Sequence, residues 1–496
     1  DVFRPDKKTA ARLAKYIASG ISLEDIWLMG YWKYDWADAA APIAGYDPAE
    51  NALAVKYASS YGIKKGAPYY IYNSFSELDA PGEWYLDRKT GTLFLYPCDD
   101  SFEDAKITLS LTTQPVIQAQ RANYLRFEGL TIQGTRGNAL ELTGDHNTVT
   151  RCLIKNVAGW AMLLKGSENL ADGNEITRTG QGGIKIEGGD RETLTAGNSA
   201  AVNNWIHDWS EIYLTYQPAV ELQGVGNRCQ NNEIYNSPHE AITFFGNDHL
   251  IADNLIHDVC LLSDDAGAIY SGRRWDNYGS VIRGNVIYNL GSGAHKPNGI
   301  YLDDALSGVS VVNNLLVNVP GTALAIGGGR DLRIEKNILV NAGTPIYYDA
   351  RAREGAIGEA WFSNHSAKGG GMWLLLFESP WQTETWKKAY PQMQKFSSDF
   401  SQPDSPDFVP NPAYSTVRFN YVLGSGTKLG NIQESVYRFS TVEHNSVTAL
   451  ARGSPNGLFA DAAAGDYSIV REKASRLHST PAENLPQNPM EGVGRK

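Results

Sequence analysis

The chain is short of cysteine, of long apolar runs and of net positive charge, and each shortage excludes something. Four cysteines in 496 residues are too few for a disulfide framework. No Cys-x-x-Cys or metal-like spacing links Cys98, Cys152, Cys229 and Cys260, so they read as small buried hydrophobes. No run of roughly eighteen apolar residues exists, so no membrane-spanning helix is expected. The formal charge of −11 and a pI near 5.4 argue against nucleic-acid or anionic-membrane partners. A signal peptide is also missing. The sequence opens at Asp1 as a processed chain would, and a segment upstream is expected. Aromatics, by contrast, are plentiful, with 12 Trp and 26 Tyr. They suit a protein that stacks flat ligands and equally a well-packed core.

Self-similarity carries the fold. Asn, any residue, an aliphatic, any residue, then Asn or Asp recurs as Asn204-Trp-Ile-His-Asp208, Asn232-Glu-Ile-Tyr-Asn236 and Asn254-Leu-Ile-His-Asp258. It continues as Asn285-Val-Ile-Tyr-Asn289, Asn314-Leu-Leu-Val-Asn318 and Asn337-Ile-Leu-Val-Asn341, with a weaker copy at Asn174. Between copies lies a second segment with period-two alternation: Gly183-Ile-Lys-Ile, Ala219-Val-Glu-Leu, Ala241-Ile-Thr-Phe, Ala268-Ile-Tyr-Ser, Gly299-Ile-Tyr-Leu and Ala323-Leu-Ala-Ile. Coils of about twenty to thirty residues are too short for crossover helices. Helical repeats lack support because no 3.6-residue period is present, and a propeller needs four strands per blade. The fold expected is all-β, a right-handed parallel β-helix. The Asn and Asp closing each pattern are expected to stack as a ladder inside a turn.

Three regions follow. Residues 1–120 form an N-terminal β-rich accessory region, with one helix from Lys7 to Ser19 and a compact β unit from Tyr69 to Pro97 around the turn Arg88-Lys-Thr-Gly91. Residues 121–350 are the β-helix core. Residues 351–496 are loop-rich, with room for further coils.

Several blocks resemble glycoside hydrolase family 141, a β-helix family whose activities include α-L-fucosidase and xylanase. They are Gly30-Tyr-Trp-Lys-Tyr-Asp-Trp-Ala-Asp38, Pro68-Tyr-Tyr-Ile-Tyr-Asn, Gly82-Glu-Trp-Tyr-Leu-Asp-Arg-Lys-Thr-Gly91, Asp265-Ala-Gly-Ala-Ile-Tyr-Ser-Gly-Arg273, Gly299-Ile-Tyr-Leu-Asp-Asp304 and Phe459-Ala-Asp-Ala-Ala-Ala-Gly-Asp-Tyr467. The resemblance covers most of the chain from about Trp27 and implies a carbohydrate-cleaving enzyme.

Aligning the coils on Ala241, Ala268, Gly299 and Ala323 puts Glu221, Thr243, Tyr270, Tyr301 and Ala325 in one outward column. Glu187, Gln223, Phe245, Gly272, Asp303 and Gly327 fall in the next. Two consecutive coils each carry an Asp-Asp pair, Asp264-Asp265 and Asp303-Asp304. Glycoside hydrolysis uses two carboxyl groups across the scissile bond, and crowding should raise one pKa, as a general acid requires. Asp265 and Asp303 are the preferred catalytic pair because both lie in the resembling blocks, with Asp264 and Asp304 beside them. An ideal strand would separate Asp265 from Asp303 by ~23 Å. Either the Ser263-Asp-Asp-Ala266 loop folds back over the strand, or Asp265 pairs with Glu240 or His239 at the strand entrance. Asp264-Asp265-Ala-Gly-Ala-Ile also resembles the strand entrance of pectin-cleaving β-helix hydrolases. Turn aspartates that cap backbone amides or bind calcium are the bland alternative.

Tyr270, Tyr301 and Trp275 are candidates for stacking on sugar rings. Arg273, His239 and His295 are candidates for binding hydroxyls or a carboxylate, with Glu240 and Glu221 nearby. The function expected is a secreted or periplasmic glycoside hydrolase acting on a poly- or oligosaccharide, with a lean towards inversion. A polysaccharide lyase using Lys296, Arg273 or His295 and a non-catalytic polysaccharide-binding or adhesin protein are the alternatives. No metal ligand or cofactor is assigned, beyond a structural or lyase-type calcium ion.

Overall fold

The computed structural model describes residues 1–57, 59–99, 102–104, 107–354, 371–424, 426, 428–449, 459–461 and 466–469. It divides into two compact units, Asp1–Leu109 and Ser110–Lys496.

In the first unit, the helix Lys7–Ala18 starts where Asp6 accepts hydrogen bonds from the N–H groups of Lys8 and Thr9. Its Leu13 and Tyr16 pack with Leu28, Ile43 and Leu53 of a five-stranded sheet. Tyr69–Tyr72 pairs antiparallel with Trp27–Gly30 and so belongs to that sheet. The expected β unit from Tyr69 to Pro97 is therefore two pieces. Only Trp84–Asp87 and Thr92–Leu95 form the hairpin around Arg88 to Gly91. Cys98 is exposed there, whereas Cys152, Cys229 and Cys260 are buried as expected.

Among the described residues the second unit is built from three long parallel sheets of eleven strands each, one of them carrying Thr195–Ala196 as a twelfth, antiparallel strand beside Ile184–Asp190. Each coil contributes one strand to each sheet and buries alternate side chains inside. In the twelve-stranded sheet Ile242, Ile269, Ile300 and Leu324 are in register and solvent-free. That is the alignment expected from the alternation, and it keeps one continuous core. The series opens with Ile117–Gln120 and runs past residue 350 through Thr416–Arg418, Tyr421–Gly424 and Gly430–Ile432.

The ladder is made by the opening Asn of each pattern, not the closing residue. Asn174, Asn204, Asn232, Asn254, Asn285, Asn314, Asn337, Asn420 and Asn445 are joined amide to amide at 2.9–3.0 Å. All but Asn445, the last of the series, are buried between coils, where each amide satisfies backbone groups of neighbouring coils. The closing residues instead turn the corner. Asp208, Asn236, Asp258, Asn289, Asn318 and Asn341 have φ of 50–61°, a left-handed conformation that Asn and Asp tolerate best.

Between Thr344–Tyr348 and Thr416–Arg418 the chain leaves the coils. The helices Gly371–Glu378 and Glu384–Ala389 pack Trp373 and Trp386 with Trp275, Tyr278 and Ala305 as a second core. The last described residues pair Phe459–Asp461 with Asp466–Ile469, while the middle of the block from Phe459 to Tyr467 lies outside the described residues.

Candidate active site

The outward columns form as the alternation requires. Glu221, Thr243, Tyr270, Tyr301 and Ala325 are register partners across the twelve-stranded sheet, as are Gly272 and Asp303. The strand entrance at Asp265 is where geometry departs from an ideal strand. Asp265 has φ of 52°, and a Cβ on Gly267 would stand 2.7 Å from the Cβ of Tyr301. Only glycine permits that approach, so the Asp264-Asp265 segment folds back over the sheet. The Tyr301 hydroxyl donates to Asp265 Oδ1 at 3.1 Å, and Asp265 comes near enough to Asp303 to raise its pKa. The ~23 Å offset of an ideal strand is thereby removed. Tyr270 donates to Asp303 Oδ2 at 3.2 Å, in the space left beside Gly272.

Asp303 is mostly buried. Burial and then the neighbouring Asp304 carboxylate push its pKa up to about 6, against the pull of Arg351. Arg351 Nη1 donates to Asp303 Oδ1 at 2.8 Å and to Asp304 Oδ1 at 3.2 Å, while its Nε donates to Asp349 Oδ2 at 2.9 Å. Gly327 makes this possible, since a Cβ there would meet the Arg351 guanidinium at 2.9 Å.

Glu240 lies beneath, 1% exposed, with Oε2 accepting no hydrogen bond. Burial first, then Asp303, Asp265 and Glu221, hold its carboxyl well above the usual range. His239 Nδ1 lies 3.6 Å from that oxygen, and burial lowers its pKa to about 3, so the imidazole is neutral at pH 7.

The model of the right-handed β-helix region matches residues 93–224 and 210–375, more than half of the chain. The chain belongs to the right-handed β-helix family. No curated protein matches it. Among solved structures it is similar to one titled a glycoside hydrolase, at 14% identity and a TM-score of 0.49, covering 69% of this chain and 73% of the other. A complex of XylC with xylose follows at 10% identity, a TM-score of 0.44 and coverage of 77% and 65%. A PL6 alginate lyase complexed with a trisaccharide has 14% identity, a TM-score of 0.34 and coverage of 67% and 75%.

This β-helix gathers some expected residues at the cluster and sets others aside. Glu221 borders it, paired with Lys185 at 3.0 Å. Asp264 is occupied on its outer side, accepting from the Lys296 N–H and lying 3.1 Å from His295 Nδ1. Arg273 donates to Asp304 Oδ2 at 3.1 Å from an exposed position. Trp275 cannot stack on a sugar: it is 1% exposed and packs 4.8 Å from the Trp373 ring. Tyr301 and His239 are buried too, so Tyr301 offers its hydroxyl rather than a ring face, and His239 lies beneath the surface rather than at a ligand.

Three neighbours escaped the sequence reading. Asp349 continues the Asp303–Gly327 column, because Ile326 pairs with Tyr348, and extending the alignment one coil would have found it. Arg351 is two residues further on. Tyr216 sits in a loop outside the repeat, with its ring 5.0 Å from His239 and its hydroxyl pKa raised by burial, then by Glu240 and, more weakly, Asp265 and Asp303.

Proposed function

We propose that this β-helix is a glycoside hydrolase, acting outside the cytoplasm, with Asp303 as general acid and Asp265 as the second carboxylate. The observation that carries it is a pair of carboxyl groups held by two register-paired tyrosines, Asp265 by the Tyr301 hydroxyl and Asp303 by that of Tyr270, of which Asp303 keeps its proton up to about pH 6. Asp303 delivers that proton to the leaving oxygen. Asp265, which is exposed, faces the anomeric carbon or the attacking water. A carboxyl separation of ~5–5.5 Å gives retention and one of ~6.5–9.5 Å gives inversion. The sequence blocks resembling glycoside hydrolase family 141 point to the same chemistry.

A neutral glycan suits the site better than a uronate. Glu221, Glu240, Asp265, Asp303, Asp304 and Asp349 surround it, and three of its cations are engaged. Arg351 pairs with Asp303, Asp304 and Asp349, Arg273 with Asp304, and Lys185 with Glu221. A lyase needs a spare cation to neutralise the substrate carboxylate; Lys296, exposed beside Asp264, is the candidate for it, and a uronate lyase stays the second reading. A purely binding protein has no use for a buried Glu240 whose Oε2 accepts no hydrogen bond, which costs stability.

The test is a panel of neutral polysaccharides and polyuronates, scored for new reducing ends and for ultraviolet absorbance of unsaturated products. Reducing ends without absorbance are expected, with Asp303→Asn and Asp265→Asn each losing about 10²–10⁴-fold. Proton NMR of the first-formed anomer then separates retention from inversion. Full activity in either variant removes that residue from the mechanism.

A further inference from the structure

We propose that a cleft at the entrance of the early coils is a distal subsite for a neutral glycan chain whose reacting bond lies at Asp265 and Asp303. Only the position of the cut rests on the hydrolase reading. The cleft has a volume of about 400 Å³ and is lined by Arg136, Asn138, Glu141, Gln181, Ile212 and Tyr213.

Its chemistry is that of a sugar site. The Arg136 guanidinium, the Gln181 amide and the Tyr213 hydroxyl have no hydrogen-bond or ion-pair partner among the described residues, so three donors await a ligand. Beside them Ile212 is 48% and Tyr213 52% exposed, an apolar face of the kind a pyranose ring packs on. Arg136 and Glu141 offset one another, which leaves no excess charge to select an ionic ligand.

Position ties the cleft to the catalytic cluster. Asn138 and Gln181 stand just before the strands Leu140–Thr143 and Ile184–Asp190, as Glu240 and Asp265 stand before Ile242–Asn247 and Gly267–Gly272. All these strands belong to one sheet, and two to five strand spacings separate the two places, ~10–24 Å. A single loop walls both. Trp209 Nε1 donates to the Gln217 carbonyl at 2.8 Å and closes its base, while the N–H groups of Ile212 and Tyr213 donate to the Gly180 carbonyl at 3.1 and 3.0 Å. Tyr213 thus faces the cleft, and Tyr216 of the same loop packs on His239. A chain occupying both places extends over several sugar units, so the substrate is a polymer cut internally.

Affinity electrophoresis through gels containing soluble xylan, glucomannan, galactan or laminarin, with polygalacturonate as the anionic control, tests this. The full chain is compared with Tyr213→Ala, Arg136→Ala and Asp303→Asn, and circular dichroism checks each fold. Retardation by at least one neutral polymer is expected, weakened roughly tenfold in Tyr213→Ala and Arg136→Ala and unchanged in Asp303→Asn. Equal retardation in the cleft variants, retardation by polygalacturonate alone, or none by any neutral polymer overturns the subsite. Tyr213-dependent retardation without sugar release keeps the subsite and removes the hydrolase reading. Release lost in Asp303→Asn with retardation indifferent to Tyr213 does the reverse.

Discussion

At Asp303 two influences oppose each other. Burial and Asp304 favour the protonated carboxyl, whereas Arg351 favours the carboxylate, and the balance sits at about 6. A general acid works only while it holds its proton, so kcat/KM should fall as pH rises through about 6. Replacing Arg351 with Gln removes the group that lowers this pKa. The alkaline limb should therefore move to higher pH, even if the rate itself drops. Profiles of kcat/KM against pH for wild type and Arg351→Gln check this, and a limb that stays put or moves down separates Arg351 from the proton of Asp303. Beneath Asp303, burial and the neighbouring carboxylates also favour the protonated form of Glu240.

At the scale of the element, the coils are held by amides as much as by isoleucines. Asn254 donates to the Cys229 carbonyl at 3.1 Å and to Asn285 Oδ1 at 2.9 Å, and its own Oδ1 accepts the Asn232 N–H at 3.0 Å. Asn254→Ala leaves several buried groups unpaired and should cost about 2–4 kcal/mol. Asn236 closes its pattern at a left-handed corner, with φ of 61°. Asn236→Ala loses mainly that conformational preference, about 1 kcal/mol. Urea denaturation of the two variants ranks the ladder against the corner, and the opposite order would refute it. A similar local demand shapes the site strand, where Gly267 lets Asp265 return over Tyr301.

For the molecule as a whole, stability adds up coil by coil, except where the inserted helices brace one flank. Trp275 and Tyr278 leave the coils to meet Trp373 and Trp386 in a core of their own. Arg191 links the same insertion to the coils, pairing with Asp276 at 3.0 Å while its carbonyl accepts from Trp386 Nε1 at 2.8 Å. Trp275→Ala should therefore cost about 3–5 kcal/mol by opening a cavity, and leave KM unchanged below the unfolding temperature. Calorimetry with parallel kinetics measures both. A raised KM with an unchanged Tm would restore Trp275 to the ligand. Among the described residues, no helix is long and apolar enough to cross a membrane.

The sequence alone determined the solenoid, the register and which side chains line the outward columns. Period-two alternation follows from strand geometry, and a one-residue slip would expose Ile242, Ile269 and Ile300, so their alignment was legible before any coordinates. The recurrence of Asn marked a ladder but not its member, because both ends of each pattern carry the same residue types and only burial separates them. Tertiary structure decided the rest. The fold-back at Asp265 depends on a close approach between Gly267 and Tyr301, 34 residues apart in sequence. Arg351 reaches Asp303 across the gap at Gly327, and an insertion outside the repeat buries Trp275. Alternation says which side chains point outwards. What covers or meets them there is set by contacts between distant segments, which no local pattern encodes.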